Sequence, residues 1–162
     1  MRLWHKDLID VLPRQQLLGQ WRECCLIAKS IAENGTPNHL LVNRVMEYPP
    51  EHFFSYAKWI EDEMKHRGYK CDFDKFDKWY KQIEFAQYIW LKKENIFTVW
   101  HDDKYLKQCF FNMQEKHDCG GIPDEEWRPI ENKIIWTFTQ REAGKILMRG
   151  AGDNDRAESK QD

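Results

Sequence analysis

No run in this chain approaches the roughly 20 apolar residues needed to cross a bilayer, and no secretory or targeting peptide is visible. The expectation is an intracellular, cytoplasmic protein that does not enter a membrane. There is no G-x-x-x-x-G-K-[ST] loop and no G-x-G-x-x-G, so nucleotide hydrolysis and dinucleotide chemistry have no basis in the sequence. No C-x-x-C pair occurs, although there are five cysteines, Cys24, Cys25, Cys71, Cys109 and Cys119. An odd count with one adjacent pair argues for reduced thiols rather than a disulfide framework. A basic excess is missing too. Lys and Arg number 25 against 27 Asp and Glu, so any nucleic acid would have to be held by a local strip of cations. No internal repeat and no Gly/Ser linker divides the chain. Its 162 residues are expected to form one domain over 1–150, followed by a flexible polar tail at 151–162.

What is present is aromatic and helically spaced. Aromatics make up 14% of the residues and eight are Trp, more than a disordered chain carries. Leu17, Trp21, Cys24, Ala28 and Ile31 recur at steps of three and four, which predicts a helix over 12–31. Pro13 fits its first turn and Asn34-Gly35 its end. Asn38 is placed to cap a shorter helix through "HLLVNRVMEY", which Pro49-Pro50 ends. Phe53, Phe54, Ala57, Ile60 and Met64 form the stripe of a third helix, closed by Gly68. A fourth is expected over 74–93, with Phe76, Trp79, Tyr80, Ile83, Ala86 and Trp90 facing inward. A fifth starts at Asp102 as its N-cap and carries Leu106, Cys109, Phe110 and Met113 before Gly120-Gly121 and Pro123 break it. "IIWTFT" fits a strand or a helical turn equally, so the C-terminal segment is read as irregular. The fold class is all-α, a compact domain of five to six helices.

Most candidate sites have an ordinary structural reading. Cys109, His117 and Cys119 lie close in sequence but lack the paired spacing of zinc ligands, so no metal is expected. Cys24 and Cys25 fall on the inner face of the first helix and read as small core residues. The His-Asp-Asp run at 101–103 suggests a base with its orienting acid, yet it falls where a helix begins and Asp is a common cap.

The opening stretch "MRLWHKDLIDVLPRQQLLGQWRECC" differs. On a helix Gln16, Gln20 and Glu23 share one side, with Gly19 among them. Gly costs about 1 kcal/mol relative to Ala inside a helix. A close approach at Gly19 is therefore expected, by a neighbouring helix or by a ligand.

"RQQLLGQWRECC" preceded by "MRLWHKDLI" resembles the pyrimidine-dimer DNA glycosylase/AP-lyase family, phage-type endonucleases that excise UV photoproducts. The triplet Trp21-Arg22-Glu23 stands at its characteristic place. The likeness continues from "NHLLVN" through "HFFSYAKWIEDEMKHRGYK" and fades beyond Cys71. It implies an all-helical monomer that acts on damaged double-stranded DNA without a cofactor, using the chain's own N-terminal α-amine as nucleophile. A free α-amine has a pKa of about 7.7–8.0 against about 10.4 for lysine, so more of it is neutral near pH 7. By resemblance the amine attacks the anomeric carbon of the damaged nucleotide's sugar and displaces the base, and the resulting imine permits β-elimination of the strand. A carboxylate beside it stabilises the cationic sugar and moves protons. Glu23 stands where the family places that group.

In the best-known member the initiator Met is removed and a Thr amine reacts, with Arg next. Here Met1 precedes Arg2, whose bulk is expected to block Met removal, so Met1 takes the Thr role; with Met1 removed, the Arg2 amine would take it. The resemblance further implies that Arg2 and Arg22 contact phosphates flanking the lesion. Gln15 and Gln16 are assigned to the backbone or base edges, and Arg14 and His39 are further nucleic-acid contacts. Gln16 replaces a His of the best-known member. Competing readings are a lyase for abasic or other damaged sites, a non-catalytic nucleic-acid-binding protein of the same fold, and a protein–protein module.

Overall fold

The computed structural model describes the backbone of residues 1–158 and side chains through Lys145. Every regular element among the described residues is helical, as the apolar spacing predicts. The first five residues have no regular secondary structure and lead into a 3-10 helix, Lys6–Val11. Helix α1, Arg14–Asn34, follows at once. The Pro13 carbonyl accepts the Leu17 N–H at 2.9 Å, and Gly35, at φ 72°, ends the helix in the left-handed conformation that glycine adopts without a Cβ clash. Helix α2, Pro50–His66, buries Phe53, Phe54, Ala57, Ile60 and Met64. Helix α3, Asp74–Tyr80, packs on α1. Asp102 caps α4, Asp103–Asp118, by accepting the Tyr105 N–H at 2.8 Å. Helix α5, Asp124–Glu158, crosses α4 and the first 3-10 helix. One continuous apolar core runs from Leu3 to Ile134.

Three elements differ from expectation. The short helix at Asn38 is a turn, with Asn38 at φ 52° and a 3-10 helix only over Asn43–Glu47. The expected helix over 74–93 stops at Tyr80. Beyond it Phe85 adopts φ 59°, and the chain that follows is held by side chains rather than by a helical ladder. Tyr80 Oη donates to the Gln87 carbonyl at 2.7 Å, Ser55 Oγ donates to the Ile89 carbonyl at 2.9 Å, and Trp59 Nε1 donates to the Leu91 carbonyl at 3.1 Å. Trp90, expected inside, is 51% exposed. The C-terminal segment read as irregular is the long helix α5. Ile130, Ile134 and Thr137 line its buried side at steps of four and three, while Ile135 and Trp136 face outward. Pro129 lies inside this helix, and Asp124, Glu125 and Glu126 favour its start through the dipole. The backbone of the expected tail is helical to Glu158, and residues 159–162 lie outside the described residues.

Candidate active site

The first residues of a chain ordinarily fray unless something ties them down. Here Leu3, Trp4 and His5 are buried, so their backbone polar groups need partners inside the protein. Side chains from separate elements supply them. Glu23 Oε2 accepts the Arg2 N–H at 3.0 Å, and Gln20 Oε1, one turn earlier on α1, accepts the Trp4 N–H at 2.8 Å. Tyr56 of α2 donates its hydroxyl to the Trp4 carbonyl at 2.7 Å, and Tyr105 of α4 donates to the Leu3 carbonyl at 2.7 Å. His101 Nδ1 accepts the Lys6 N–H at 3.0 Å. Lys6 Nζ in turn donates to the carbonyls of Glu94 and Ile96, at 2.8 and 2.6 Å.

The clamped segment delivers its amine to a carboxylate. The Met1 nitrogen lies 3.9 Å from Glu23 Oε1, and both groups are partly open to solvent. The two oxygens of Glu23 therefore have different tasks: Oε2 fixes the chain through Arg2, and Oε1 faces the amine. Such a pair can hold, give and take protons beside a nucleophilic nitrogen.

Arg2 is half-buried, with its guanidinium over the Trp4 ring at 5.6 Å. It also lies close enough to Tyr105 and Cys109 to favour their anions, although burial dominates and pushes both groups up. Arg22 is exposed, with Nε donating to the Leu18 carbonyl at 3.3 Å. Gln15 is exposed. Gln16 is half-buried and its buried Oε1 has no partner among the described residues. A Cβ built on Gly19 meets nothing within 4 Å, so no neighbouring helix explains that glycine.

Arg14 and His39 stand apart from this group. Arg14 lies nine residues before Glu23, ~13 Å along the helix at 1.5 Å per residue. Its N–H donates to Glu126 Oε1 at 3.0 Å and its guanidinium covers the Tyr69 ring. His39 makes turn contacts, its Nδ1 accepting the Leu41 N–H at 3.3 Å and its own N–H donating to Asn43 Oδ1 at 2.9 Å.

The remaining candidates resolve structurally. In the run at 101–103, Asp102 is the α4 cap and Asp103 pairs with Arg141. His101, which the capping reading passed over, is buried and braces Lys6. Burial holds its pKa well below the ordinary 6.5, helped by His5, Lys6 and Arg44. Burial also lowers His5, whose ring stacks on His101 with centroids 5.0 Å apart. Both rings are thus kept neutral, as acceptance through Nδ1 requires: His101 accepts the Lys6 N–H and His5 accepts the Asp7 N–H at 3.1 Å. His117 bonds Asp124 at 2.8 Å and stacks on Trp127, while Cys109 is buried and Cys119 exposed. Among the described residues no group of three His, Cys, Asp or Glu is arranged to hold a metal ion. Burial raises the Cys24 thiol and pushes Cys25 up to about 11, so neither is an activated nucleophile.

Sequence reasoning missed most of the clamp. Gln20 was legible as part of a polar face, but it is only 1% exposed and turns inward. Nothing in the spacing around Tyr56 and Tyr105 singles them out. The one available signal was that a buried Tyr needs a partner for its hydroxyl.

Residues 1–77 match the family model described as pyrimidine dimer DNA glycosylase. This is the family that the opening stretch resembles, and the matched segment contains Met1, Arg2, Gln20, Glu23 and Tyr56. Tyr105 and His101 lie beyond it. No curated protein and no solved structure matches the chain. The matched segment is just under half of the chain's 162 residues. No described helix is long and apolar enough to cross a membrane.

Proposed function

We propose that this protein is a bifunctional DNA glycosylase/AP lyase that acts as a monomer on damaged duplex DNA, with the Met1 α-amine as nucleophile and Glu23 as its acid–base partner. The lone pair of the amine bonds to C1′ of the damaged nucleotide while the glycosidic bond breaks and its electrons leave with the base. Loss of a proton from nitrogen and opening of the sugar ring give an imine. That imine acidifies C2′, whose proton loss expels the 3′ phosphate oxygen and cuts the strand. Hydrolysis of the imine returns the amine. Glu23 Oε1 faces the nitrogen and is placed to accept and return these protons, and its charge stabilises the cationic sugar. Reaching C1′ requires a nucleotide extruded from the stack, which costs least at a damaged site.

The observation that carries this reading is the amine held 3.9 Å from one oxygen of Glu23 while the other oxygen fixes the next residue. It is tested by borohydride trapping on a duplex with a single abasic site, followed by mass mapping of the adduct. The expected adduct is on the Met1 nitrogen and is absent after N-terminal acetylation. An adduct on a lysine, or none from a protein with a free N-terminus, would overturn it. A thymine-dimer duplex then tests the glycosylase step.

A further inference from the structure

A groove of about 650 Å³ opens between the outer side of α1 and the segment joining α2 to α3, lined by Trp21, Arg22, Cys25, Lys70, Cys71 and Lys75 among others. Arg22 directly precedes Glu23 on α1, although Met1 and Glu23 do not themselves line the groove. Its charge is one-sided. Arg22, Lys70 and Lys75 stand on its walls against a single acid, Asp72, which Lys75 faces at 4.0 Å. Arg22 is steadied by its Nε bond to the Leu18 carbonyl, which leaves its outer nitrogens free of that contact. Arg22 and Lys70 make no ion pair among the described residues. The cationic line continues along the same face through Lys29 and Lys78, whose ammonium groups lie over the Trp79 ring at 5.4 and 5.0 Å.

The floor is apolar. Trp21 lines it although nearly buried, Leu26 is 54% exposed, and Cys25 and Cys71 complete the surface. Burial pushes the two thiols up to about 11 and about 12, so they add no negative charge at neutral pH. In a chain of net charge −2, this concentration of cations is local.

We infer that the groove between α1 and residues 70–75 is the track for the DNA sugar–phosphate backbone leading to the lesion, with phosphates on Arg22, Lys70 and Lys75 and deoxyribose against Trp21 and Leu26. The inference rests on the proposed action on DNA and adds two lysines that the sequence reading did not assign. It explains how a protein with no basic excess holds a polyanion: the attraction is confined to one face, formed by α1 and residues 70–75.

The experiment is a fluorescence-anisotropy titration of a duplex carrying a tetrahydrofuran abasic analogue, which offers no aldehyde, repeated across salt concentrations. The wild-type protein is compared with the double variant Lys70→Gln/Lys75→Gln and with a control pair on α4, Lys104→Gln/Lys116→Gln. Loss of two phosphate contacts is expected to weaken binding roughly tenfold and to reduce the slope of log K against log salt by about 2. The control pair should leave both near wild type. An unchanged slope in the groove variant, or an equal loss in the control, would overturn the track. Borohydride trapping of the wild-type protein separates the two readings. Trapping with no groove effect retains the lyase and rejects the track, and a groove effect without trapping does the reverse. A wild-type protein that does not bind the duplex removes both.

Discussion

At Gly19 the helix forgoes about 1 kcal/mol of propensity without gaining any contact within the protein, because an added methyl group would meet open space. A glycine retained for packing shows a neighbour at that point, and here none exists. Gly19→Ala is therefore expected to stabilise the free protein, raising its unfolding free energy by about 0.5–1 kcal/mol in a denaturant titration. If the space above Gly19 is where the DNA backbone approaches, the same variant weakens duplex binding, and the two effects have opposite signs. A destabilised variant would mean that the helix uses Gly19 in some other way. Glu23→Gln separates position from charge. The side-chain amide that this substitution introduces can still accept the Arg2 N–H through its carbonyl, so the N-terminal segment stays in register, but no base faces the amine. Trapping on an abasic duplex should slow by about 10²–10⁴-fold with the thermal midpoint little changed. A near-wild-type rate would remove Glu23 from the chemistry.

At the scale of elements, the site is an N-terminal segment gripped by three helices and one loop residue. Tyr105 belongs to α4 and lies 102 residues from the carbonyl it bonds. Tyr105→Phe keeps the ring among Trp100 and His101 but leaves the buried Leu3 carbonyl without that donor. Such a loss costs about 1–3 kcal/mol. The expected outcome is slower adduct formation at saturating DNA with duplex affinity retained, because the groove face is untouched. An effect on affinity alone would show that Tyr105 does not position the amine.

His5 and His101 predict the response of the clamp to pH. Burial lowers both pKa values below the ordinary 6.5, so between the lowered folded values and 6.5 the unfolded chain binds more protons than the folded one. Their contribution to stability is complete above about pH 6.5 and is lost as pH falls below it. Protonation would also add a proton to His101 Nδ1, the atom that accepts the Lys6 N–H. Amide exchange at Lys6 should accelerate between pH 6.5 and 5 before the bulk of α1 does. Uniform acceleration across the chain would mean that these histidines are not the weak point.

The elements themselves were legible where local rules and tertiary packing agreed. Pro13, Gly35, Gly68 and Asp102 punctuate α1, α2 and α4 as their chemistry predicts. The sequence misled at 81–92 because its apolar spacing is compatible with a helix. There the partners are Ser55, Trp59 and Tyr80, which capture the backbone from elsewhere in the fold. "IIWTFT" was ambiguous because a short apolar run has no period of its own, and only the register of Ile130, Ile134 and Thr137 against the core makes it helical.

The whole molecule divides unevenly between what resembles a family and what builds the site. Met1, Arg22 and Glu23 are proposed from the first 25 residues by resemblance, and the Met1 nitrogen lies 3.9 Å from Glu23 Oε1. The bracing residues His101 and Tyr105 could not be, since they lie outside the matched 1–77 and their roles depend on contacts across the whole chain. The same segment ends inside α3 and contains none of Ile96, Phe97, Trp100, Leu106, Cys109, Met113, Trp127 or Ile130, all buried in the common core. Phe97 alone packs against both Tyr48 and Tyr56, with centroids 5.2 and 5.9 Å away. A fragment of residues 1–77 would expose Leu3 and Tyr56 and lose two of the groups that hold its N-terminus, and without a closed core its helices fall short of independent stability. It is expected to melt without a cooperative transition by far-UV circular dichroism and to form no borohydride adduct. A fragment of residues 1–145 retains the core through Ile134 and both braces, and should keep a cooperative melt and the adduct. Cooperative folding and trapping by residues 1–77 would show that the second half is dispensable to the site; failure of residues 1–145 as well would place an essential contact in the last 17 residues.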